Sequence, residues 1–202
     1  MESLTLFEQV FMYLGILMFV VLLGSLVFFV VKGKELKPLL LFFLMPILMI
    51  GYPSIQEIKY QEIWIKLHKS QQNLVENPAD SVSRRKVEAL TNKIEARAHT
   101  EEQLNSITYS KILLQKPKEA EYFAEKALSE NKNSETAKEL KQVAQVQEEL
   151  KIAKRDTATS ASLDSSAVKQ LEQVRLPARY EPINQYVLRT RYLSTQQRTQ
   201  NN

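Results

Sequence analysis

Residue types that commonly perform catalysis are scarce in this chain. Its 202 residues include no cysteine and only two histidines, His68 and His99, which we interpret as surface residues. The sequence contains no nucleophile elbow, no zinc-ligand spacing and no phosphate-binding loop. Adjacent carboxylates such as Glu101 and Glu102 point in different directions around a helix, so we interpret them as solvated. We therefore predict that the chain is not an enzyme and carries no metal and no cofactor.

Arginine and tyrosine side chains form a second group, near the carboxyl end. In residues 175–193 they alternate, and Pro177 and Pro182 exclude one continuous helix. Such a pattern can stack on nucleic-acid bases, dock in a protein groove or bind an acidic membrane surface. Because only four of these residues are basic, we do not expect nucleic acid as the partner. The predicted partner-binding residues of this tail are Arg179, Tyr180, Tyr186, Arg189, Arg191 and Tyr192.

These groups must be positioned by a chain that begins with two uncharged apolar stretches. They cover residues 10–31 and 38–56, and residues 32–37 (KGKELK) separate them. A bilayer core of about 30 Å needs roughly 20 apolar residues, so we predict a two-helix transmembrane hairpin with the lipid bilayer as its first partner. The second stretch could instead be a buried core helix. Pro46 interrupts it and is expected to kink a spanning helix.

The flanking charges predict how this hairpin is oriented. Residues 1–9 carry Glu2 and Glu8 but no basic residue, which is unlike a signal peptide, so we expect the first stretch to remain in the mature protein. The loop at 32–37 holds three lysines and is expected to be cytoplasmic. The remaining chain would then lie in the periplasm of a bacterium, anchored in the inner membrane. Three lysines soon after the second stretch favour the opposite orientation, with a cytoplasmic domain.

Composition predicts an all-α fold for the rest of the chain. All four glycines precede residue 56, so the turns that need a positive φ are disfavoured beyond it. We predict an amphipathic helix at 57–76, whose aromatic residues lie at headgroup level or pack on the soluble core. A soluble α-helical domain at 77–154 follows. Residues 155–166 are expected to be a linker, 167–193 a short helix followed by the arginine and tyrosine segment, and 194–202 a disordered tail.

Capping signals place the helices of the soluble domain. Asn77 followed by Pro78 predicts a helix start, and Thr100 with Gln103 has the spacing of a capping box. Pro117 is expected to begin a third helix, to about residue 130, and Ser134 or Asn133 to cap a fourth.

The segment KPKEAEYFAEKALSENKN, residues 116–133, resembles the second helix of a tetratricopeptide repeat. Small residues around an aromatic pair, and an alanine-leucine step before the turn, carry the resemblance: Ala120, Tyr122, Phe123, Ala127 and Leu128. The preceding helix departs from the family, with Thr108 where a small Gly or Ala is usual and Lys111 where an aromatic is common. The resemblance, over about residues 100–133, implies a helical hairpin that binds a partner in a concave groove. The partner-binding residues expected in the stack are Tyr109, Tyr122, Phe123 and Ala127.

Two functions fit these observations. The first is a membrane-anchored scaffold or assembly factor that presents a helical domain to a protein partner. The second is an accessory structural subunit of a larger membrane complex, in which the spans are the main binding element.

Overall fold

The computed structural model describes residues 6–33, 41–153 and 160–190. Within these ranges the chain forms helices, turns and short connections, with no β-strand, which confirms the all-α class for the described residues. The helices are α1 (Leu6–Val31), α2 (Leu44–Glu76), α3 (Ser81–Ile94), α4 (Glu101–Leu113), α5 (Pro117–Glu130), α6 (Glu135–Ala153), α7 (Ser160–Gln173) and α8 (residues 182–190). The chain divides into two compact units, Met1–Ile63 and Trp64–Asn202.

Helix α1 is the most apolar element of the first unit. Its segment Phe7–Val31 has 25 residues and is long and apolar enough to cross a membrane. Only 6% of the most apolar 18-residue stretch within it is buried. At 1.5 Å per residue, 25 residues extend about 37 Å, more than the roughly 30 Å of a bilayer core. A signal sequence can meet the same criteria of length and composition.

Within this unit α1 packs antiparallel on the first part of α2. A Cβ atom added to Gly15 would lie 3.0 Å from both Ile50 Cγ1 and Met49 Cβ, so the two helices meet closely at this glycine. Four residues further along α1, Phe19 makes an edge-on contact with Phe43, which precedes Met49 and Ile50 in the chain. The two ring centroids are 5.6 Å apart. Higher residue numbers in α1 therefore face lower numbers in the partner segment.

The predicted second span has no counterpart among the candidate spans of the described residues, where α1 alone qualifies. Residues 38–40 of that prediction lie outside the described ranges. Residues 41–56 number only 16 before the charged residue Glu57, which is short of the roughly 20 that a span needs. The helical turn breaks at Phe43 and Pro46 falls in the first turn of α2, where a missing N–H is tolerated. Pro53, not Pro46, lies inside the helix.

Helix α2 continues for 33 residues, so the predicted second span and the predicted amphipathic helix form a single helix. Its last part, from Trp64, belongs to the second unit. Leu67 and Leu74 are fully buried there, and Trp64 is 7% exposed. The aromatic residue Trp64 therefore packs in a helical core, as the second of the two interpretations of this segment expected.

The second unit is a stack of helices around α4. Helix α4 packs against α3, α5 and α6, and α6 packs against α7. Alanines at Ala120, Ala124 and Ala127 have no exposed surface, so α5 approaches its neighbours closely. All ten residues from 104 to 113 of α4 are buried, including five polar ones. Burial of a whole helix surface identifies α4 as the central element of this unit.

Most predicted helix starts of this unit agree with the structure. Thr100 and Gln103 form the reciprocal capping box, Pro117 is the first residue of α5, and the Ser134 hydroxyl accepts a hydrogen bond from Ala137 N at 3.1 Å. The Asn77 prediction was wrong, because Asp80 caps α3 through a 2.9 Å hydrogen bond from Val82 N. Asp80 is the better cap because its carboxylate reaches the free N–H groups and favours the helix dipole.

The carboxyl-terminal region is more ordered than the composition suggested. Helix α7 begins at Ser160, so it extends into the predicted linker at 155–166, of which residues 155–159 lie outside the described ranges. Pro177 and Pro182 do separate two helices, as predicted. Residues 194–202, predicted to be disordered, and the loop lysines Lys34 and Lys37 lie outside the described residues.

Candidate interaction site

A cavity of about 490 Å³ opens in the second unit between α2, α4 and the segment that contains Arg179 and α8. We call it the α2–α4 cavity. Its polar lining includes His68, Gln72, Glu76, Tyr109, Arg179 and Arg189. A volume of this size suits a small molecule or a few residues of a peptide.

Arg179 connects one wall of the cavity to the helices beside it. Its Nη1 donates to Glu102 Oε1 at 2.8 Å, and its Nη2 contacts both ring nitrogens of His68, with 2.8 Å to Nδ1. The Arg179 and Glu102 side chains are 38% and 78% exposed, so this ion pair contributes little stability by itself. Its effect is to hold the guanidinium in place at the cavity wall.

His68 is uncharged in this environment at neutral pH. Burial and the charge of Arg179 lower its pKa from 6.5 to about 4, while the Glu102 carboxylate acts in the opposite direction. The uncharged ring can accept a hydrogen bond from Arg179 on one nitrogen and donate one from the other. His68 Nε2 lies 3.2 Å from Ser106 Oγ, which completes this arrangement.

A buried amide fixes α2 against α4 directly behind His68. Gln71 is 4% exposed, and its Nε2 donates to Ser106 O at 3.0 Å and to Ser110 Oγ at 2.8 Å. The Ser110 hydroxyl in turn donates to Ser106 O at 3.0 Å. Because each of these polar groups is paired, the contact between the two helices has a defined register.

Tyr109 and Tyr180, predicted to bind a partner from two separate regions, instead contact each other. Their ring centroids are 5.3 Å apart, and the side chains are 4% and 6% exposed. Tyr186 is 1% exposed and donates its hydroxyl to Leu113 O at 2.6 Å. Burial raises the pKa of all three phenols. The structure therefore corrects the expectation that these tyrosines are presented to a partner. Their rings are buried in the core of the second unit, where their apolar surface is removed from water.

The other predicted residues are divided between the surface, the core and the undescribed part of the chain. Tyr122 is 62% exposed and contacts the ring of Phe123, while Ala127 is fully buried between helices and is inaccessible to a partner. Neither aromatic residue lines the α2–α4 cavity. Arg179 and Arg189 do line it. Arg191 and Tyr192 lie outside the described residues.

Sequence reasoning missed His68, Gln71 and Ser106. His68 was interpreted as a surface residue, but it is half-buried and bonded to residues of two other segments. A signal was present in the spacing. His68 lies four residues after the buried Trp64, and Gln71 lies four residues after the buried Leu67, so both are on the side of α2 that packs into the unit.

The arrangement provides guanidinium groups, a neutral imidazole and aromatic rings around one cavity, and these groups can form ionic contacts and hydrogen bonds with a polar ligand. No protein-family model, curated protein sequence or solved structure matches this chain.

Proposed function

We propose that this chain is a membrane-anchored protein-interaction scaffold or assembly factor. The observation that carries the proposal is the contrast between α1, whose apolar side chains are exposed along most of its length, and a second unit with its own buried core. An apolar helix of 25 residues that is so little buried would be unfavourable in water. A bilayer around α1 resolves this conflict.

The finer proposal is a hairpin in which α1 and residues 38–56, which include the first part of α2, both cross the membrane. The close approach at Gly15 supports it, because small residues at helix contacts are typical of membrane helix pairs. In the orientation that we propose, the loop after α1 is cytoplasmic and the second unit lies in the periplasm of a bacterium. The reverse orientation places that unit in the cytoplasm.

Single cysteines can test both topology and orientation, because the native sequence has none. We would place one at Lys32, just after α1, and one at the exposed Ser129 in α5. A membrane-impermeant maleimide added to intact cells is expected to label Ser129→Cys, and to label Lys32→Cys only after permeabilisation. Labelling of both sites from the same side would show that only α1 spans and would contradict the hairpin.

The pairing of α4 with α5 supports a tetratricopeptide-like arrangement in the scaffold. The buried alanines of α5 lie where the repeat uses small residues, and Tyr122 beside them is available to a partner. We propose a protein partner for this surface.

The alternative proposal is an accessory subunit of a membrane complex that binds mainly through its spans. Two full-length variants separate the proposals in affinity purification with mass spectrometry. Tyr122→Ala changes only an exposed side chain of the second unit, and Gly15→Leu disrupts the helix contact of the first. The scaffold proposal expects partner loss with Tyr122→Ala and not with Val82→Ala, which alters another exposed apolar residue. Partner loss with Gly15→Leu alone would favour the subunit.

A further inference from the structure

We propose that the α2–α4 cavity binds a carboxylate group, with Arg189 as its principal ionic partner. The carboxylate belongs either to a small organic acid or to the carboxyl terminus of a peptide. This site is separate from the exposed surface around Tyr122 and does not depend on the membrane anchoring proposed above.

The first argument is the state of the arginines. Arg189 lines the cavity, is exposed, and forms no ion pair with any described residue. Arg179 is already held by Glu102 and His68, but a guanidinium has five N–H donors, and the two contacts leave some of them for a ligand. Two guanidinium groups at one cavity can bind the planar carboxylate through paired hydrogen bonds.

The second argument is the character of the remaining walls. Val75 and Pro182 supply apolar surface, and the almost wholly buried rings of Tyr109 and Tyr180 complete the lining behind it. His68 and Gln72 are neutral groups that can donate or accept hydrogen bonds. A carboxylate attached to a short aliphatic group matches this combination of two cations with apolar walls.

One wall residue opposes the binding of an anion. Glu76 lines the cavity, and among the described residues its carboxylate accepts only a long hydrogen bond of 3.4 Å from Gln72. The proposal therefore makes two predictions of opposite sign: removal of the charge of Arg189 weakens binding, and removal of the charge of Glu76 strengthens it.

Trp64 offers a direct readout, since it is the only tryptophan and its ring centroid lies 5.8 Å from that of His68. We would titrate the full chain in an uncharged detergent and record its fluorescence. The probes are 3-methylbutanoate as a free acid and N-acetyl-leucine as a peptide terminus. The matched controls are the corresponding amides, which keep the shape and lack the charge.

We expect saturable binding of the carboxylates and not of the amides. R189Q should weaken binding about 10-fold, corresponding to roughly 1.4 kcal/mol, and E76Q should strengthen it. Arg175→Gln removes an arginine that lines a different cavity of the same unit and should leave affinity unchanged. Equal binding by both acids indicates a free carboxylate, and preference for N-acetyl-leucine indicates a peptide terminus. Absence of a saturable change for both acids, binding of the amides with equal affinity, or an unchanged affinity in R189Q would overturn the proposal.

Discussion

Helices α1 and α4 invert the usual relation between polarity and burial. Helix α1 is almost wholly apolar, yet side chains such as Leu17 and Val21 are about 60% exposed, at 62% and 60%. Helix α4 contains serine, threonine, asparagine and lysine, yet all residues from 104 to 113 are buried. The difference shows that composition alone does not decide burial: α1 lacks enough protein neighbours to cover it, and α4 is surrounded on every side.

Most of the polar residues of α4 tolerate burial because they find partners, although the buried Asn105 Oδ1 has none among the described residues. Thr108 donates to Leu104 O at 2.9 Å, within the helix itself. Lys111 is paired with Glu119 at 2.7 Å and with Glu95 at 2.9 Å. Burying a neutral polar group without a partner costs about 1–3 kcal/mol, and burying an unpaired charge costs more.

The strongest way to break the comparison is to remove the same kind of atoms from both helices. Ile107→Ala in α4 deletes a fully buried side chain and should lower the free energy of unfolding by about 2–5 kcal/mol, through lost apolar contact and a cavity. Denaturant titration followed by Trp64 fluorescence measures this loss in the second unit. Val21→Ala in α1 should change that transition by less than about 0.5 kcal/mol. Similar losses of unfolding free energy for both variants would contradict the conclusion that α4 is buried in the second unit while α1 is not part of that core.

A charge placed in α1 tests the medium that surrounds it. Leu17→Lys should weaken membrane insertion by roughly 2.5–3.5 kcal/mol, because an ammonium at the middle of a bilayer is poorly solvated. The fraction of full-length protein that resists alkaline extraction from membranes should fall, whereas Leu17→Ala should behave like the native chain. If α1 were exposed to water, the lysine would instead be harmless.

Tyr186→Phe sharpens the account of how the carboxyl-terminal segment is held. The variant keeps the buried ring and removes the hydroxyl that donates to Leu113 O. We expect a loss of about 1–3 kcal/mol in the unfolding free energy, because a buried carbonyl loses its partner. Tyr122→Phe is the control, since Tyr122 is exposed. An unchanged midpoint for Tyr186→Phe would show that the segment is not docked as described.

The smallest expected effect is the dependence of stability on pH through His68, which lines the α2–α4 cavity. His68 has a pKa of about 4 in the folded chain and 6.5 as its ordinary value, so the unfolded chain binds more protons between these values. The contribution of neutral His68 to stability is therefore complete above pH 6.5 and is lost as the pH falls towards 4.

Unfolding midpoints measured from pH 6.5 down to about pH 5 should show the first part of this decline, since the pKa of His68 in the folded chain is about 4. His68→Gln should flatten the slope, and His99→Gln, at an exposed position, should retain it. A slope that persists in His68→Gln would assign the effect to another group.

Local features of the sequence determined much of the helical framework. The capping box at Thr100, the proline start of α5 and the apolar run of α1 each depend on residues within one or two turns, and each is found in the structure. The cap at Asp80 was missed because Asn77 and Pro78 offer a competing signal of the same kind a few residues earlier.

Only the tertiary structure decided which surfaces are buried and where the cavity lies. Tyr186 bonds a carbonyl 73 residues away, and Arg179 contacts His68 across 111 residues. No local pattern encodes such partners, because the same alternation of arginine and tyrosine is equally compatible with a free tail and with a docked one. Burial in the second unit selects the docked state, since the apolar area of the tyrosines and of Ile183 is removed from water only there.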